Sequence, residues 1–359
     1  MGLFPKNRDL SRPLEHVTIA VDASALQLPV EEVNLRLDQF LQHHLPWKSR
    51  SALQGLIRSG LVCVADGAGG AEVQAAGQVE RRPGRRVRHG FVVSVDIPPE
   101  ARITPVSSAG DELTILREDD HTLVVEKPPG LPVHPSGRHL ADSLIQRVHG
   151  YYAAQGEKTA EEQSRPRLCH RLDRETTGIV LLGKHAEAHA ELSRQFEERE
   201  VEKEYLAIVE GLPQEAAGVI DLPIGPSRTS SVRLRMAVRA DGQQARTDWS
   251  LVASGGGRSL LRLHLHTGRQ HQIRVHCAAL GHPLVGDKLY LGGEDVFERA
   301  LADALTAEDR SRLGLGRQAL HHHRLTFTCP DSGERIQVVS PMPADMEALM
   351  GVHGEEGWV

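Results

Sequence analysis

Aromatic residues make up only 4% of this 359-residue chain, too few for a surface built on many base-stacking rings. Cysteine is scarcer still. Cys63, Cys169, Cys277 and Cys329 stand far apart with no Cys-x-x-Cys pair, which argues against a disulfide framework or a thiolate zinc site and for a reducing compartment. A cytoplasmic location is expected. No run reaches the roughly 18 apolar residues that would span a membrane. The opening stretch "MGLFPKNRDLSRPLEHV" holds no apolar core of a secretory signal, and Lys6 stands where a myristoylation signal has Ser or Thr. Neither GxxxxGK[ST] nor a GxGxxG between strand and helix occurs, which disfavours a nucleotide cofactor. "ASGGGRS" (253–259) is glycine-rich but lies between two expected strands, so it reads as a hairpin loop.

Histidine, by contrast, is abundant at twenty. His264, His266, His271, His276 and the run 321–323 raise the question of a metal. Neighbouring histidines on a strand point to opposite faces, His271 and His276 are five apart instead of four, and no HExxH or His/Cys cluster is present. Structural or surface roles are favoured, and no metal is expected.

The length suffices for two domains, and 40% hydrophobic with 25% charged residues is ordinary for a globular protein. The net charge of −6 is unevenly spread. Residues 35–100 carry nine Arg and Lys against six Asp and Glu, a local +3 that leaves −9 elsewhere. Within them "ERRPGRRVRH" (80–89) holds Arg81, Arg82, Arg85, Arg86 and Arg88 beside a single glutamate. Such a run is either a solvated loop or a phosphate-binding patch, and composition leaves both open.

Along the chain, residues 1–33 show little periodicity and read as a weakly structured extension. "LRLDQFLQHHL" places Leu37, Phe40, Leu41 and Leu45 on one helical face. In "SRSALQGLIRSG" Ser49 is a plausible N-cap, Leu53, Leu56 and Ile57 are the apolar positions, and Gly60 stands where a C-cap glycine belongs. "LVCVADG" and "FVVSVDI" (91–97) read as strands, separated by a Gly/Ala-rich insertion, "DGAGGAEVQAAG". A linker around "PPEARITPVSSAG" leads to a larger region. There "TLVVEK" (122–127), "IVLLGK" (179–184), "EYLAIVEG" (204–211) and "LLRLHL" (260–265) read as strands. "AEAHAELSRQFEER" is an amphipathic helix with Ala188, Leu192 and Phe196 spaced by four. "RQHQIRVHCAALG" is a helix with Ile273, Cys277 and Leu280 inward, stopped by Gly281. These elements predict an α+β fold, a mixed sheet with helices and long loops, and no repeat.

"CHRLDRETTGIVLLGK" (169–184) sets Asp173 between Arg171 and Arg174, just before an apolar run. A helix cap is disfavoured because a strand follows. A structural salt bridge would need one arginine, yet two flank the acid and "QIR" offers Arg274. Nearby positive charge favours the carboxylate form, which suits a nucleophile or base better than a proton donor. A glycoside hydrolase needs a second carboxylate. Glu175 is the candidate, and periodicity leaves open whether it points to the same place.

"HRLDRETTGIVLLGK" closely resembles the signature of the RluA-type pseudouridine synthases. "VVEKPPGLPVHPSG" (124–137), "EKEYLAIVEG" (202–211) and "TGRQHQIRVHCAALGHPLVGDKLY" (267–290) resemble the family's other motifs in the same order, and Thr177 stands where Ser is commoner. The helices and strands of 35–97 resemble an S4 RNA-binding domain. The likeness covers about residues 34–345. It implies a pseudouridine synthase fold with a mixed, largely antiparallel sheet, divided as extension 1–33, S4-like domain 34–100, catalytic domain 101–350 and tail 351–359.

The resemblance further implies isomerisation of uridine to pseudouridine in RNA without cofactor or metal. Asp173 would act at the sugar, by attack or as a base. Tyr205 would pack on the uracil, Arg274 would orient Asp173, Ile273 would line the base pocket, and Arg171 would enter the place of the flipped uridine. Arginines 81, 82, 85, 86 and 88 are candidate RNA contacts. Large-subunit ribosomal RNA is the favoured substrate and transfer RNA the alternative, with the protein acting as a monomer. A non-catalytic RNA-binding or assembly factor is the rival class, against which the presence of Asp173, Tyr205 and Arg274 counts.

Overall fold

The computed structural model describes residues 16–26, 28–44, 50–66, 77–98, 113–135, 142–154 and 165–351. The chain divides into two compact units, Met1–Asp111 with His134–Arg165, and Glu112–Val133 with Pro166–Val359. The expected continuous span 101–350 is therefore interrupted, because 134–165 groups with the first unit.

The first unit comprises β1 (His16–Ala20), a short α1 (Ala23–Leu26), β2 (Asn34–Arg36), α2 (Leu37–His44), α3 (Arg50–Arg58), β3 (Val62–Ala65), β4 (Gln78–Val79), β5 (Arg86–Arg88), β6 (Val92–Asp96) and, from its second segment, α4 (Leu144–Ala154). Its main sheet has the order β1-β6-β3-β4, and β2 pairs separately with β5. The expectation of a weakly structured extension over 1–33 is corrected for the described part. β1 runs antiparallel to β6 from His16 opposite Asp96 to Ala20 opposite Val92, and Val17, Ile19, Val21 and Val33 are buried in the same core as Leu37, Phe40, Leu41, Leu53 and Ile57. A five-residue strand with only two inward side chains gives too short an alternation to stand out in a sequence.

A second feature of this unit is Asp38, which is fully buried at the start of α2. It accepts from Arg36 at 3.0 and 3.1 Å, from Arg50 at 3.1 and 3.0 Å and from Gln54 at 2.8 Å. These donors outweigh its burial and hold the carboxyl far below the usual range. Leu45, the proposed cap Ser49, most of the 66–77 insertion, the linker after Pro98 and the tail beyond Gly351 lie outside the described residues.

In the second unit the sheet order is β12-β15-β16-β11-β17-β10-β8-β7, with β9 on β10 and β18 on β17. The strands are β7 (Thr114–Glu118), β8 (Thr122–Lys127), β9 (Arg167–Leu168), β10 (Thr177–Gly183), β11 (Glu202–Glu210), β12 (Ala217–Asp221), β15 (Arg246–Gly255), β16 (Arg258–Leu265), β17 (Leu320–Thr328) and β18 (Arg335–Val339). A separate hairpin joins β13 (Ile224–Pro226) to β14 (Met236–Val238). All pairings in the sheet are antiparallel except β10 with β17, so the sheet is mixed and largely antiparallel, as expected. "GG" at 256–257 takes positive φ at both residues and closes the β15–β16 hairpin.

Every residue of β10 is buried, which is why it reads as a continuous apolar run with no alternation. One face of that sheet region is covered by α5 (Ala186–Glu197) through Leu192 and Phe196. Farther along, Leu206, Ile208 and Leu260 pack with Met342 and Met346, the latter on α9 (Ala344–Met350). Tyr205 points away from the Leu206 face, to the side that α5 covers, and is paired across the strands with Leu263 and His322. Helix α6 (Gln272–Ala279) is buried at six successive positions from Gln272 to Cys277.

Gly178 has φ of +106°, and a Cβ there would fall inside contact distance of the backbone carbonyl of His322. Both facts demand glycine. Gly178→Ala is expected to cost about 3 kcal/mol or more of stability, read as a lower midpoint in urea unfolding; an unchanged midpoint would show that the β10–β17 contact is loose.

Candidate active site

Asp173 sits on the loop between β9 and β10, closed by a turn in which Thr176 N donates to the carbonyl of Asp173 at 3.1 Å. Arg274, 101 residues farther on in α6, donates from Nη1 to Asp173 Oδ2 at 3.0 Å. The other side of the guanidinium is held by a second acid. Nε and Nη2 donate to Asp287 at 2.7 and 2.9 Å. Asp287 is itself buried and accepts from the backbone N–H groups of Leu289 and Tyr290, both at 3.0 Å. The Tyr290 ring lies 5.0 Å from the guanidinium carbon. Arg274 thus has one bidentate anchor and a single remaining arm, and that arm reaches Asp173.

His271 begins this helix with φ of +57°, a conformation uncommon for a non-glycine residue. Its Nδ1 meets Tyr290 Oη at 3.0 Å, and its Nε2 stands 3.8 Å from Asp173 Oδ2, beyond hydrogen-bond range. Burial, reinforced by the charge of Arg274, pushes the imidazole down to about 4. It is neutral near pH 7. For Asp173 burial alone would raise the carboxyl, but the charge of protonated His271, the charge and hydrogen bond of Arg274, and the charge of Arg171 together hold it below the usual range. With His271 neutral, Arg274 is the dominant partner at physiological pH.

Asp173, Arg171, Tyr205, Ile273, Arg274 and His271 help line one open cleft. The structure therefore brings together every candidate of the larger unit. Ile273 is buried, Arg171 is exposed, and burial followed by the charge of Asp173 raises the Tyr205 phenol, which stays neutral. Glu175 is turned away: its carboxylate accepts from Lys288 Nζ at 2.6 Å and faces the Gln318 N–H at 3.4 Å. Asp173 has no paired acid from that source.

The five arginines of 80–89 belong to the first unit and are all exposed. Arg82 and Arg85 share Glu80, Arg81 donates to the carbonyl of Arg58 at 3.0 Å, and Arg86 to that of Asn34 at 2.8 Å. They are partly tied down and still present their charge to solvent.

The metal candidates resolve into hydrogen-bonded residues. His276 uses both ring nitrogens, with Thr247 Oγ1 at 2.9 Å and the carbonyl of Leu222 at 3.0 Å. His321 and His323 both bond the carbonyl of Ser340, at 3.1 and 2.7 Å. Among the described residues no three His, Cys, Asp or Glu side chains are grouped as a metal site requires.

Asp287, His271, Tyr290 and Lys127 were not singled out as site residues from sequence. Lys127 is wholly buried, donates to the carbonyls of Pro128, Leu131 and Arg174 at 2.7, 3.0 and 2.9 Å, and is pushed down to about 7 by burial against the pull of Asp173. It pins the loop that carries Asp173. A lysine closing a largely apolar strand, just before a Pro/Gly turn, is the available signal.

Residues 121–279 match the family described as RNA pseudouridylate synthase. A "Ribosomal large subunit pseudouridine synthase D" of Nitrosomonas europaea is 37% identical, covering 90% of this chain and 86% of the relative. A protein of the same name from Xanthomonas campestris is 35% identical, covering 94% of this chain and 95% of the relative. Among solved structures, human RNA pseudouridylate synthase domain containing 1 superposes with a TM-score of 0.50 at 28% identity, over 66% of this chain and 85% of that one.

Proposed function

Because this chain belongs to the RNA pseudouridylate synthase family and is an isomerase of uridine in RNA, we propose that its substrate is large-subunit ribosomal RNA and that Asp173 carries the chemistry. The observation that carries the reading is the 3.0 Å contact between Arg274 and Asp173, which keeps the carboxylate ionised and oriented while Glu175 is engaged elsewhere.

In this reaction the N1–C1′ bond breaks, the uracil turns, C5 bonds to C1′, the C5 proton leaves and N1 gains one. An ionised Asp173 serves either as nucleophile at C1′ or as base at the sugar. Tyr205 packs against the uracil and Ile273 closes the pocket beside it. A stacked base cannot reach a carboxylate in a cleft, so the uridine must be extruded, and exposed Arg171 at the rim fills the vacancy.

Both relatives named for the large ribosomal subunit align over nearly the whole chain, which supports that RNA as substrate; a cytoplasmic location and action as a monomer complete the reading. The first unit, with its helix pair, small sheet and exposed arginines, is read as an S4-like RNA-binding module. The direct test supplies the purified protein with large-subunit ribosomal RNA and transfer RNA from cells lacking it, and maps pseudouridine. New pseudouridine in the ribosomal RNA is expected; modification of transfer RNA alone would replace the substrate.

Replacing arginines 81, 82, 85, 86 and 88 by glutamine is expected to weaken RNA binding and flatten its salt dependence by about 3.5 to 4.5 in log–log slope where all five meet phosphates, since each lost phosphate contact removes roughly 0.7 to 0.9. An unchanged slope would make the run a solvated loop.

A further inference from the structure

One buried titratable side chain beside the cleft has no part in the chemistry above. His322, near the start of β17, is fully buried, and its ring lies 4.4 Å from that of Tyr205 with the planes 11° apart. Its Nδ1 donates to the carbonyl of Ile179 at 2.7 Å, which leaves the Nε2 lone pair buried without a hydrogen-bond partner. An unpaired buried polar atom is costly, and that cost is set against the hydrogen bond to Ile179.

The surrounding backbone is shaped to seat this ring. The β11–β17 register passes from Glu204 opposite Arg324 to Tyr205 opposite His322, and the residue between, His323, is bulged. Bulges re-aim side chains next to active sites, and this one sets Tyr205 and His322 face to face. On the other side His322 pairs with Gly178, which has no side chain to intervene. Behind His322 comes His170, edge-on at 5.5 Å and stacked on Phe196 at 4.9 Å. Burial keeps both imidazoles uncharged, with His170 pushed down to about 3. His170 also lies three residues before Asp173, so one aromatic stack backs both the loop of the carboxylate and the tyrosine.

We infer that His322 is a positioning residue: its flat ring fixes the plane of Tyr205, so that the cleft side of the phenol meets the uracil face-on. The inference rests on the role proposed for Tyr205. Offset stacking constrains the tilt of the partner ring, whereas an aliphatic neighbour of similar bulk does not.

The test compares His322→Phe with His322→Leu, each in the parent and in a Tyr205→Leu background. Single-turnover rates are measured at saturating enzyme on a large-subunit ribosomal RNA transcript carrying 5-tritiated uridine, whose tritium is released when C5 bonds to C1′. His322→Leu is expected to slow the parent about tenfold with RNA affinity within about twofold, and His322→Phe to stay within about threefold of the parent rate. In the Tyr205→Leu background His322→Leu should cost nothing further.

A purely packing role predicts equal rates for Phe and Leu, or the same loss in both backgrounds. Either result overturns the inference while leaving the role of Tyr205 intact. Parental turnover by Tyr205→Leu would remove that role and the inference with it. Should His322→Leu fail to fold, His322→Met takes its place.

Discussion

Asp173→Asn is expected to abolish pseudouridine formation, by about 10⁴-fold or more in single-turnover rate, while RNA affinity stays within about threefold. The amide has nearly the shape of the carboxylate and can still receive the Arg274 Nη1 donor that sits 3.0 Å away. It can neither attack the sugar carbon nor take a proton from it. Asp173 is also partly open to the cleft, so the substitution buries little that was paired with protein, and the fold should survive. Turnover near the parental rate, in protein checked by mass for deamidation, would place the chemistry on another residue.

Arg274→Met is expected to move the acidic limb of the pH–rate profile to higher pH and to lower the plateau. The sign follows from the charges. Asp173 lies below the usual carboxylate range because the charges of protonated His271, Arg274 and Arg171, with the Arg274 hydrogen bond, outweigh burial; without the Arg274 guanidinium, burial and the apolar replacement both favour the protonated acid. The active, ionised fraction is then lost earlier on acidification. Each unit of upward shift corresponds to about 1.4 kcal/mol of lost preference for the charged form. The plateau falls because the carboxylate loses the hydrogen bond by which Arg274 orients it. Stability should fall too, by roughly 3 to 5 kcal/mol, since Asp287 would be left buried without its cation. Asp287→Asn separates the two effects. It removes the anchor of Arg274 together with a competing negative charge, so the plateau should drop while the limb moves to lower pH. An acidic limb that stays in place in Arg274→Met would pass the partner role to Arg171 or Arg174.

Strands and helices that face one environment were legible in the sequence. Strand β10 and helix α5 have simple apolar patterns because one is covered throughout and the other only on its inner face. Helix α6 shows the limit of that logic. Ile273, Cys277 and Leu280 predict one inward face, yet Leu280 is 37% exposed while Arg274 and His276 are buried. The helix is enclosed nearly all round, and its polar residues face specific partners that no periodicity encodes. Asp287 illustrates the same point. It follows Arg274 by 13 residues across a turn, and only the folded chain shows that it holds the guanidinium. The direction of Glu175 was open in sequence for the same reason; Lys288, brought near by the loop after α6, decides it. β1 was missed because its alternation spans just five residues.

The most direct test of the central claim is a nucleotide-resolution map of pseudouridine in large-subunit ribosomal RNA from three strains: one lacking this protein, one restored with the parent and one restored with Asp173→Asn at equal abundance. The account predicts one or more positions that are uridine in the deletion strain, pseudouridine with the parent and uridine again with Asp173→Asn. Pseudouridine at those positions in the Asp173→Asn strain, or no position that depends on the protein at all, would contradict it.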